Sequence, residues 1–495
     1  MRRRKEKPVL ENVRIEAVAA EGNSLAHVDG KVLFVPQAVP GDVVDVQITR
    51  SRKGYMEGYV KRLVEPSPNR LQPVCKHYGD CGGCKWQILP YPMQLEAKQQ
   101  QVVDQLSRIG HLNLPEISPI LGSEKEYFYR NKLEFTFSSR RWLLRGENPE
   151  EVVGSDRCGL GFHIGGMFDK VLDIEYCHLQ DEPSNSIRNF VRRYALEHGL
   201  SFYDLRAQEG LMRTLIVRTA STSEAMLTVV FGPEGEQYVS ESDGSVLKGS
   251  PISDLLDAIV KEFPQITSLN YVINSKKNDT INDLDVRVWK GRDCIYEQME
   301  NLRFKIGPKS FYQTNSAQAY RLYSTVRRFA LDKEGLASDN KYVSLEGDPV
   351  VYDLYTGTGT IALFLSSIAS KVVGIEYVPE AIEDAKANAS LNGIDNAVFY
   401  AGDMKDVLNA SFIEANRYPS IVVLDPPRAG IHPDVAAVLM EASPARIIYV
   451  SCNPASQARD LAIFADKYDI LAVQPVDMFP QTHHVENVVF MALRS

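Results

Sequence analysis

The sequence predicts a multidomain protein with a small β-barrel at its N-terminus, an α+β central part and a C-terminal α/β domain. Three observations lead to this prediction. Residues 8–66 hold short strand-like runs between turn signals, residues 92–289 mix helical and strand patterns, and from residue 350 continuous apolar strands alternate with helices. We place the domains at residues 1–70, 71–300 and 301–495.

Composition indicates an ordinary globular protein. Of the 495 residues, 44% are hydrophobic and 24% are charged. No apolar run approaches the roughly 18 residues that span a membrane, and the basic start lacks the apolar stretch of a secretory signal. The seven cysteines are sparse and odd in number, which argues against a disulfide framework and for a reducing compartment. We therefore expect a cytoplasmic protein, by default a monomer.

The N-terminal segment is predicted to be a small barrel of the OB kind, a fold that often holds single-stranded nucleic acid. Its strand-like runs are 13–19, 32–35, 43–48 and 55–63. The whole chain has a net charge of -9, but residues 1–70 carry 13 Lys and Arg against 9 Asp and Glu. On charge alone, a solvated basic face is the simplest interpretation of this local excess.

A cysteine-rich loop follows the barrel. Cys75, Cys81 and Cys84 lie within ten residues, a spacing that indicates a metal-binding loop in a reduced protein. Zinc sites favour paired Cys-x₂₋₄-Cys halves, and no second pair exists here. An iron–sulfur cluster takes four cysteines and tolerates a distant fourth ligand, for which Cys177 and Cys158 are the candidates. The spacing is not that of radical enzymes.

The central part begins with a predicted helix over residues 92–110. Strands are predicted at residues 135–137, 215–218, 226–231 and 268–274. Polar stretches at 144–157, 233–252 and 332–347 are predicted to be exposed loops or insertions.

The C-terminal third predicts a doubly wound parallel sheet with a cofactor loop at its first strand. That strand, Val350–Leu354, runs into a Gly-x-Gly turn that opens a helix, and Glu376 ends the next strand 19 residues after Gly357. We expect Glu376 to accept the hydroxyls of a ribose and Asp403, after the third strand, to meet an adenine. Asp353 before the turn suits the ammonium of a methionine moiety and would repel pyrophosphate, which favours S-adenosylmethionine over a nicotinamide cofactor.

Two further strand ends carry reactive groups. The fourth strand ends in Asp425-Pro-Pro-Arg428, where enzymes that methylate exocyclic amines usually carry an aromatic residue after the prolines. The fifth strand ends in Ser-Cys452-Asn-Pro, and Glu486 precedes the last strand. A buried cysteine often only packs. A thiol with a carboxylate, however, can add to C6 of a uracil, activate C5 toward a methyl sulfonium and remove the C5 proton.

Together these motifs resemble the family of S-adenosylmethionine-dependent RNA uridine-5-methyltransferases. The likeness rests on Cys-x₅-Cys-x₂-Cys, Phe-x-Gln-x-Asn, Asp-Pro-Pro-Arg, Ser-Cys-Asn-Pro and the His- and Glu-containing tail, and it covers nearly the whole chain. More narrowly, the chain resembles the 23S rRNA branch, which has an N-terminal TRAM domain and a [4Fe–4S] cluster. The resemblance implies a Rossmann-like methyltransferase domain and an RNA substrate, 23S rRNA above all.

The resemblance also implies roles for individual residues. Cys452 is the expected nucleophile and Glu486 the expected proton acceptor. The expected cluster ligands are Cys75, Cys81, Cys84 and Cys177. The expected cofactor contacts are Gln313, Tyr355, Thr360, Glu376, Asp403 and Asp425. The cluster is expected to be structural and to shape the RNA-binding central domain, and the basic patch of the barrel to contact RNA phosphates.

The chain departs from the family pattern in Thr356, where relatives often carry Cys, and in Thr360, where some carry Asn. The inserted loops 233–252 and 332–347 bear on substrate choice. Three alternatives stay open. The same chemistry could act on tRNA or another rRNA uridine, although tRNA enzymes typically lack the barrel and the cluster. A cytosine-5-methyltransferase usually has a second cysteine near Asp425, and none is present. The third is a non-catalytic RNA-binding protein.

Overall fold

A computed structural model describes residues 7–144, 146–345 and 347–495. Residues 1–6, Arg145 and Glu346 lie outside the described residues; they include most of the basic start and one position each of the predicted loops 144–157 and 332–347. The chain divides into two compact units. The first comprises Met1–Gly79, Gly83–Glu126 and Ala317–Ser495, and the second comprises Asp80–Gly82 and Tyr127–Ser316. The division into three domains stays a prediction.

The N-terminal residues form a six-stranded sheet around a hydrophobic core of its own. Its strands are β1 (Val9–Arg14), β2 (Ala17–Val18), β3 (Ser24–Val28), β4 (Lys31–Val35), β5 (Val43–Ser51) and β6 (Tyr55–Glu65). The strand order is β1-β5-β6-β4-β3-β2, with only β4 and β6 paired in parallel. The inward residues of β5, among them Val44 and Val46, are fully buried, as a strand with one covered face requires.

Helix α1 (Tyr91–Gly110) follows, as predicted for residues 92–110. Its buried residues are Gln94, Lys98, Val102 and Leu106. They are spaced four apart, so they form one stripe along the helix. Val102 and Leu106 belong to the core of the C-terminal sheet, which means that this N-terminal helix completes the C-terminal fold.

The second unit is built on a seven-stranded mixed sheet with two helices, and a hairpin follows it. Its elements are β7 (Lys132–Ser138), β8 (Gly159–Ile164), β9 (Met167–Asp173), α2 (Ser184–Glu197), β10 (Met212–Thr219), β11 (Ala225–Phe231), α3 (Pro251–Glu262), β12 (Ser268–Ile273), β13 (Arg287–Gly291), β14 (Ile295–Met299) and β15 (Leu302–Ile306). The sheet order is β13-β12-β11-β10-β7-β8-β9, and β14 pairs with β15.

The C-terminal residues form a doubly wound α/β sheet. Its elements are α4 (Ser316–Leu331), β16 (Val350–Leu354), α5 (Thr360–Leu365), β17 (Lys371–Glu376), α6 (Pro379–Leu391), β18 (Ala397–Ala401), α7 (Met404–Val407), α8 (Ala410–Asn416), β19 (Ile421–Leu424), α9 (Pro433–Ala442), β20 (Arg446–Ser451), α10 (Pro454–Phe464), β21 (Tyr468–Val476) and β22 (Glu486–Leu493). The strand order is β18-β17-β16-β19-β20-β22-β21.

One strand corrects the expectation of an all-parallel sheet. β22 runs antiparallel to both of its neighbours, β20 and β21. The reason is its connection, because a short loop after β21 returns the chain beside that strand as a hairpin. An antiparallel β22 starts at the edge where β20 ends, so Ser451 pairs with Asn487. The described residues contain no helix long and apolar enough to cross a membrane.

Candidate active site

The glycine turn after β16 is held in shape by a buried carboxylate. Asp353 is fully buried, and its Oδ2 accepts hydrogen bonds from the Thr356 hydroxyl at 2.6 Å and the Ala362 N–H at 2.9 Å. Burial raises the pKa of Asp353 to about 7. Asp353 is 0% exposed and shapes the turn through these hydrogen bonds. Its expected contact with a ligand ammonium stays a prediction.

The turn itself leaves room for a ligand. Gly357 and Gly359 have φ values of 56° and 78°, in the left-handed region that favours glycine. A Cβ on Gly359 would lie 2.9 Å from Ala385 Cβ, whereas a Cβ on Gly357 would meet nothing within 4 Å. Gly359 is therefore needed for packing, and Gly357 borders open space.

Tyr355 and Thr360, two residues predicted to contact the cofactor, flank this turn. Tyr355 packs against the core of the sheet, and burial raises its pKa to about 12. Thr360 opens α5 with its hydroxyl 3.4 Å from that of Thr358.

Two carboxylates stand at the neighbouring strand ends. Glu376 ends β17, and its Oε2 accepts the Gly357 N–H at 3.1 Å while Oε1 accepts the Val378 N–H at 3.0 Å. It thus lies beside the glycine turn, and its expected contact with a ribose stays a prediction. Asp403 follows β18 and caps α7, with its side chain 41% exposed and 3.5 Å from the Lys405 ammonium. Both carboxylates keep oxygen lone pairs for further donors.

The loop after β19 and the turn after β20 are tied together. The Asn453 side chain donates to the Arg428 carbonyl at 3.0 Å, and it also caps α10 through the Ala455 N–H at 3.2 Å. Ser451 closes the turn around Cys452 with two 3.1 Å hydrogen bonds to the backbone of Asn453. Cys452 is therefore held at the carboxyl end of β20 on a rigid turn.

Cys452 and its acidic neighbours influence one another's ionisation. Burial raises the pKa of the Cys452 thiol, and the charges of Glu486 and Asp425 raise it further. Glu486 is 7% exposed, and burial, with the charge of Asp425, raises its pKa well above the usual carboxyl value. Burial and the charge of Asp353 raise the pKa of Asp425 to about 7. The three groups therefore form one electrostatically coupled site.

Arg428 supplies the positive charge of this site, a role that the sequence analysis did not give it. Its guanidinium lowers the pKa of both the Cys452 thiol and the Glu486 carboxyl. Its Nη2 lies 3.3 Å from Nδ1 of His484. The Asp-Pro-Pro-Arg motif was the available signal, because the stiff prolines fix the arginine beside the reacting groups.

The side chains of Asn487 and Gln457 join the strand that begins at Glu486 to the helix that follows Cys452. The Asn487 amide donates to Gln457 Oε1 at 2.7 Å, and the Gln457 amide donates to the carbonyls of Tyr449 at 2.9 Å and Asn487 at 3.2 Å. β20, β22 and α10 are thereby joined directly behind Cys452 and Glu486.

The remaining predicted site residues are Gln313 and the four predicted cluster cysteines. Gln313 belongs to the second unit, where its carbonyl accepts from the Asn131 amide at 2.9 Å. Its predicted cofactor contact therefore stays a prediction.

The four predicted cluster cysteines are divided between the units. Cys75 and Cys84 belong to the first unit and Cys81 and Cys177 to the second. Cys177 is buried, and its N–H donates to the Asn185 side chain at 2.8 Å. Within residues 7–144, 146–345 and 347–495, no three His, Cys, Asp or Glu side chains form a group that could hold a metal ion. The [4Fe–4S] cluster stays a prediction, and no step of the chemistry is assigned to it.

Comparison with known proteins gives two family matches. Residues 275–494 match the family model described as tRNA (Uracil-5-)-methyltransferase, and residues 10–61 match the TRAM domain.

Relatives match over nearly the whole length. An uncharacterized RNA methyltransferase of Bacteroides thetaiotaomicron is 57% identical over 477 residues, covering 96% of this chain and 100% of the relative. One of Porphyromonas gingivalis is 53% identical over 490 residues, covering 97% and 99%. Among solved structures, the Pyrococcus abyssi tRNA (uracil-54, C5)-methyltransferase in complex with S-adenosyl-L-homocysteine is 25% identical, with a TM-score of 0.70 and coverage of 98% of this chain and 100% of that one.

Proposed function

The chain belongs to the family of S-adenosylmethionine-dependent RNA uracil-5-methyltransferases, and from this premise we propose that it methylates C5 of a uridine in 23S rRNA. The observation that supports the reaction is the placement of Cys452 and Glu486 at adjoining ends of the antiparallel strands β20 and β22. A nucleophile and a base side by side are what C5 methylation needs. We further propose that the protein works in the cytoplasm as a monomer.

In the proposed mechanism, the Cys452 thiolate adds to C6 of the uracil, and Arg428 favours the thiolate over the thiol. The addition gives C5 the electron density of an enolate. When bound, S-adenosylmethionine would supply the electrophilic methyl group that C5 takes, and the electron pair of the broken methyl–sulfur bond would stay on the sulfur.

Glu486 then accepts the C5 proton. The electrons of the C5–H bond form the C5–C6 double bond, the C6–sulfur bond breaks, and the thiolate of Cys452 returns. Burial suits Glu486 to this task, because a raised pKa makes the carboxylate a stronger base than an exposed one.

The proposed cofactor contacts are those expected from the sequence. The carboxylate of Glu376 beside the Gly357 turn is suited to the ribose, Asp403 to the adenine, and Asp425 to the edge that faces the transferred methyl. Tyr355, Thr360 and Gln313 complete the proposed set. The open space beside Gly357 supports this arrangement.

The choice of 23S rRNA rests on the resemblance of the cysteine loop, Cys75 to Cys84, to that of the 23S rRNA branch. The presence of the N-terminal sheet does not distinguish a 23S rRNA substrate from a tRNA substrate. The archaeal tRNA (uracil-54, C5)-methyltransferase matches 98% of this chain, so the match includes nearly all of that sheet. tRNA is therefore the second candidate, favoured by that similarity.

The experiment that tests the proposal is methyl transfer from labelled S-adenosylmethionine to unmodified 23S rRNA and to unmodified tRNA in parallel, with identification of the product nucleoside. 5-Methyluridine in 23S rRNA alone would support the proposal in full. 5-Methyluridine in tRNA alone would refute the substrate and keep the chemistry. No transfer to either RNA would refute both.

We also propose that Cys75, Cys81, Cys84 and Cys177 hold a [4Fe–4S] cluster with a structural role. Four thiolates are the ligands that such a cluster requires. Anaerobic purification followed by iron and sulfide analysis tests this. Iron and sulfide that disappear together in Cys81→Ala, but persist in Cys158→Ala, would support the proposed ligands. Cluster loss in both Cys81→Ala and Cys158→Ala, with the cluster kept in Cys177→Ala, would move the fourth ligand to Cys158.

A further inference from the structure

Helix α1 contacts two segments next to the proposed catalytic residues, namely helix α10 after Cys452 and the loop before Glu486. Its second half shares a core with α10, the helix that begins two residues after Cys452. The two helices approach closely, because a Cβ on Gly110 would lie 2.9 Å from the carbonyl oxygen of Ala458. The half of α1 that holds Lys98 contacts a different segment.

That segment is the loop of residues 477–485, which joins β21 to β22 and ends at Glu486. Lys98 Nζ donates to Asp477 Oδ1 at 2.5 Å and to the Phe479 carbonyl at 3.1 Å. The Tyr91 hydroxyl donates to Asp477 Oδ2 at 2.8 Å. The side chains of Lys98 and Asp477 are both 0% exposed. A buried ion pair adds little stability over apolar residues of the same size, but it fixes the position of both partners.

A second anchor holds the middle of the same loop. The Gln481 N–H donates to Gln94 Oε1 at 2.9 Å, and the Gln94 amide donates to Gln481 Oε1 at 3.0 Å. The Gln481 carbonyl accepts the N–H groups of Lys85 at 2.9 Å and Trp86 at 3.1 Å. Gln481 has a φ of 67°, which is unfavourable for a residue with a Cβ. The loop conformation is therefore imposed by contacts from residues 85–98.

We propose that Lys98 and Gln94 are positioning residues for the elimination step, holding loop 477–485 so that the Glu486 carboxylate stands at the C5 proton of the Cys452 adduct. The inference rests on the proposed function and deepens it. The described contacts of Lys98 and Gln94 reach neither the turn around Cys452 nor the glycine turn. A loosened loop should therefore slow the loss of the C5 proton more than thiol addition, to which the loop is linked through the contact of His484 with Arg428.

The test uses the full-length protein with two variants. Lys98→Met combined with Asp477→Asn removes both charges at nearly unchanged volume. The side-chain oxygen at position 477 can still accept the hydrogen bond from the Tyr91 hydroxyl. Gln94→Leu removes the second anchor and leaves the ion pair. The matched control is Arg108→Gln, which breaks an exposed ion pair with Asp104 on the same helix.

Thermal unfolding and S-adenosylmethionine affinity are measured first, followed by turnover on the RNA that the wild type methylates. Denaturing gels then report the covalent protein–RNA adduct. We expect folded variants that bind S-adenosylmethionine as the wild type does and turn over about 100-fold more slowly, as a displacement of the order of 1 Å can cause. They should accumulate an adduct on ordinary RNA, and Arg108→Gln should not.

Normal turnover without an adduct in both variants would overturn the inference, as would lost turnover without an adduct. If the double variant fails to fold, Gln94→Leu decides alone. Wild-type protein with 5-fluorouridine RNA tests the proposed function independently of the role of α1, because it should form a stable adduct whatever α1 does. No adduct there would refute the proposed function rather than the role of α1.

Discussion

The Cys452 thiol lies close enough to the Glu486 carboxyl for a charge on Glu486 to raise the pKa of the thiol. Strand direction is the cause, because β22 runs against β20 and starts where β20 ends. Had β22 been parallel, its first residue would lie at the opposite edge of the sheet. The hairpin after β21 is therefore the feature that brings a nucleophile and a base together.

This pairing predicts opposite effects of two substitutions on covalent trapping. With RNA that carries 5-fluorouridine, wild-type protein should form a denaturation-stable adduct, and Cys452→Ser should form none because it lacks the thiolate. With ordinary RNA, Glu486→Gln should accumulate the adduct, since the C5 proton has no acceptor. Denaturing gels with labelled RNA measure both.

The control for the base is Glu380→Gln, an exposed carboxylate at the start of α6, which should trap nothing on ordinary RNA. An adduct in Cys452→Ser equal to that of wild type would show that another residue is the nucleophile.

The charges around the thiol predict a rate that rises with pH. Burial and acidic neighbours raise the pKa of Cys452, burial raises that of Glu486, and both groups must lose a proton to act. Arg428 lowers both pKa values, so Arg428→Gln should move the acid limb of kcat/KM to higher pH. At saturating pH the variant should approach the wild-type rate.

Arg417→Gln, an arginine whose guanidinium contacts Ser370, is the control and should leave the profile in place. A uniform loss of rate at every pH in Arg428→Gln would mean that the arginine acts through RNA binding and not through the thiol.

Much of the C-terminal domain could be predicted because buried strands are continuous apolar runs and because the reactive motifs follow them directly. Hydrophobicity carries no strand direction, so the antiparallel course of β22 was not predictable from Val488–Leu493 alone. β21 was missed because Gln474 and Pro475 interrupt its apolar pattern. Burial is equally invisible in a motif, so the enclosure of Asp353 by the turn was not predictable from the sequence.

The role of Lys98 was missed for a related reason, since lysine is rarely buried. A signal was present in the spacing of Gln94, Lys98, Val102 and Leu106, four residues apart along α1. A lysine within such a stripe faces the same side as the apolar residues.

The buried Asp353 predicts a stability that falls with rising pH. The folded protein holds this proton up to about pH 7, whereas an unfolded aspartate loses it near pH 4. Between these values the folded state binds more protons, so the free energy of unfolding falls as pH rises and the loss is complete above pH 7. Asp353→Asn should remove this loss and be more stable than wild type at pH 8, by a few kcal/mol at most.

Chemical denaturation of the cofactor-free protein at pH 5 and pH 8 measures this difference. Asp434→Asn, whose side chain is 71% exposed, is the control and should change the unfolding free energy little at either pH. A variant that loses stability equally at both pH values would show that the hydrogen bonds to Thr356 and Ala362 outweigh the buried charge.

The last prediction concerns the link between Glu376 and the glycine turn. Glu376→Gln replaces one acceptor oxygen with an amide that donates, so either the Gly357 or the Val378 N–H loses its partner. Hydrogen bonds to a charged group contribute about 1.5–3 kcal/mol, so the KM for S-adenosylmethionine should rise about tenfold or more. The value of kcat at saturating cofactor should change little, because Glu376 lies away from Cys452 and Glu486.

Steady-state kinetics at varied cofactor measures KM and kcat separately, with Glu383→Gln on the exposed face of α6 as control. A fall in kcat with an unchanged KM would place Glu376 in the chemical step instead.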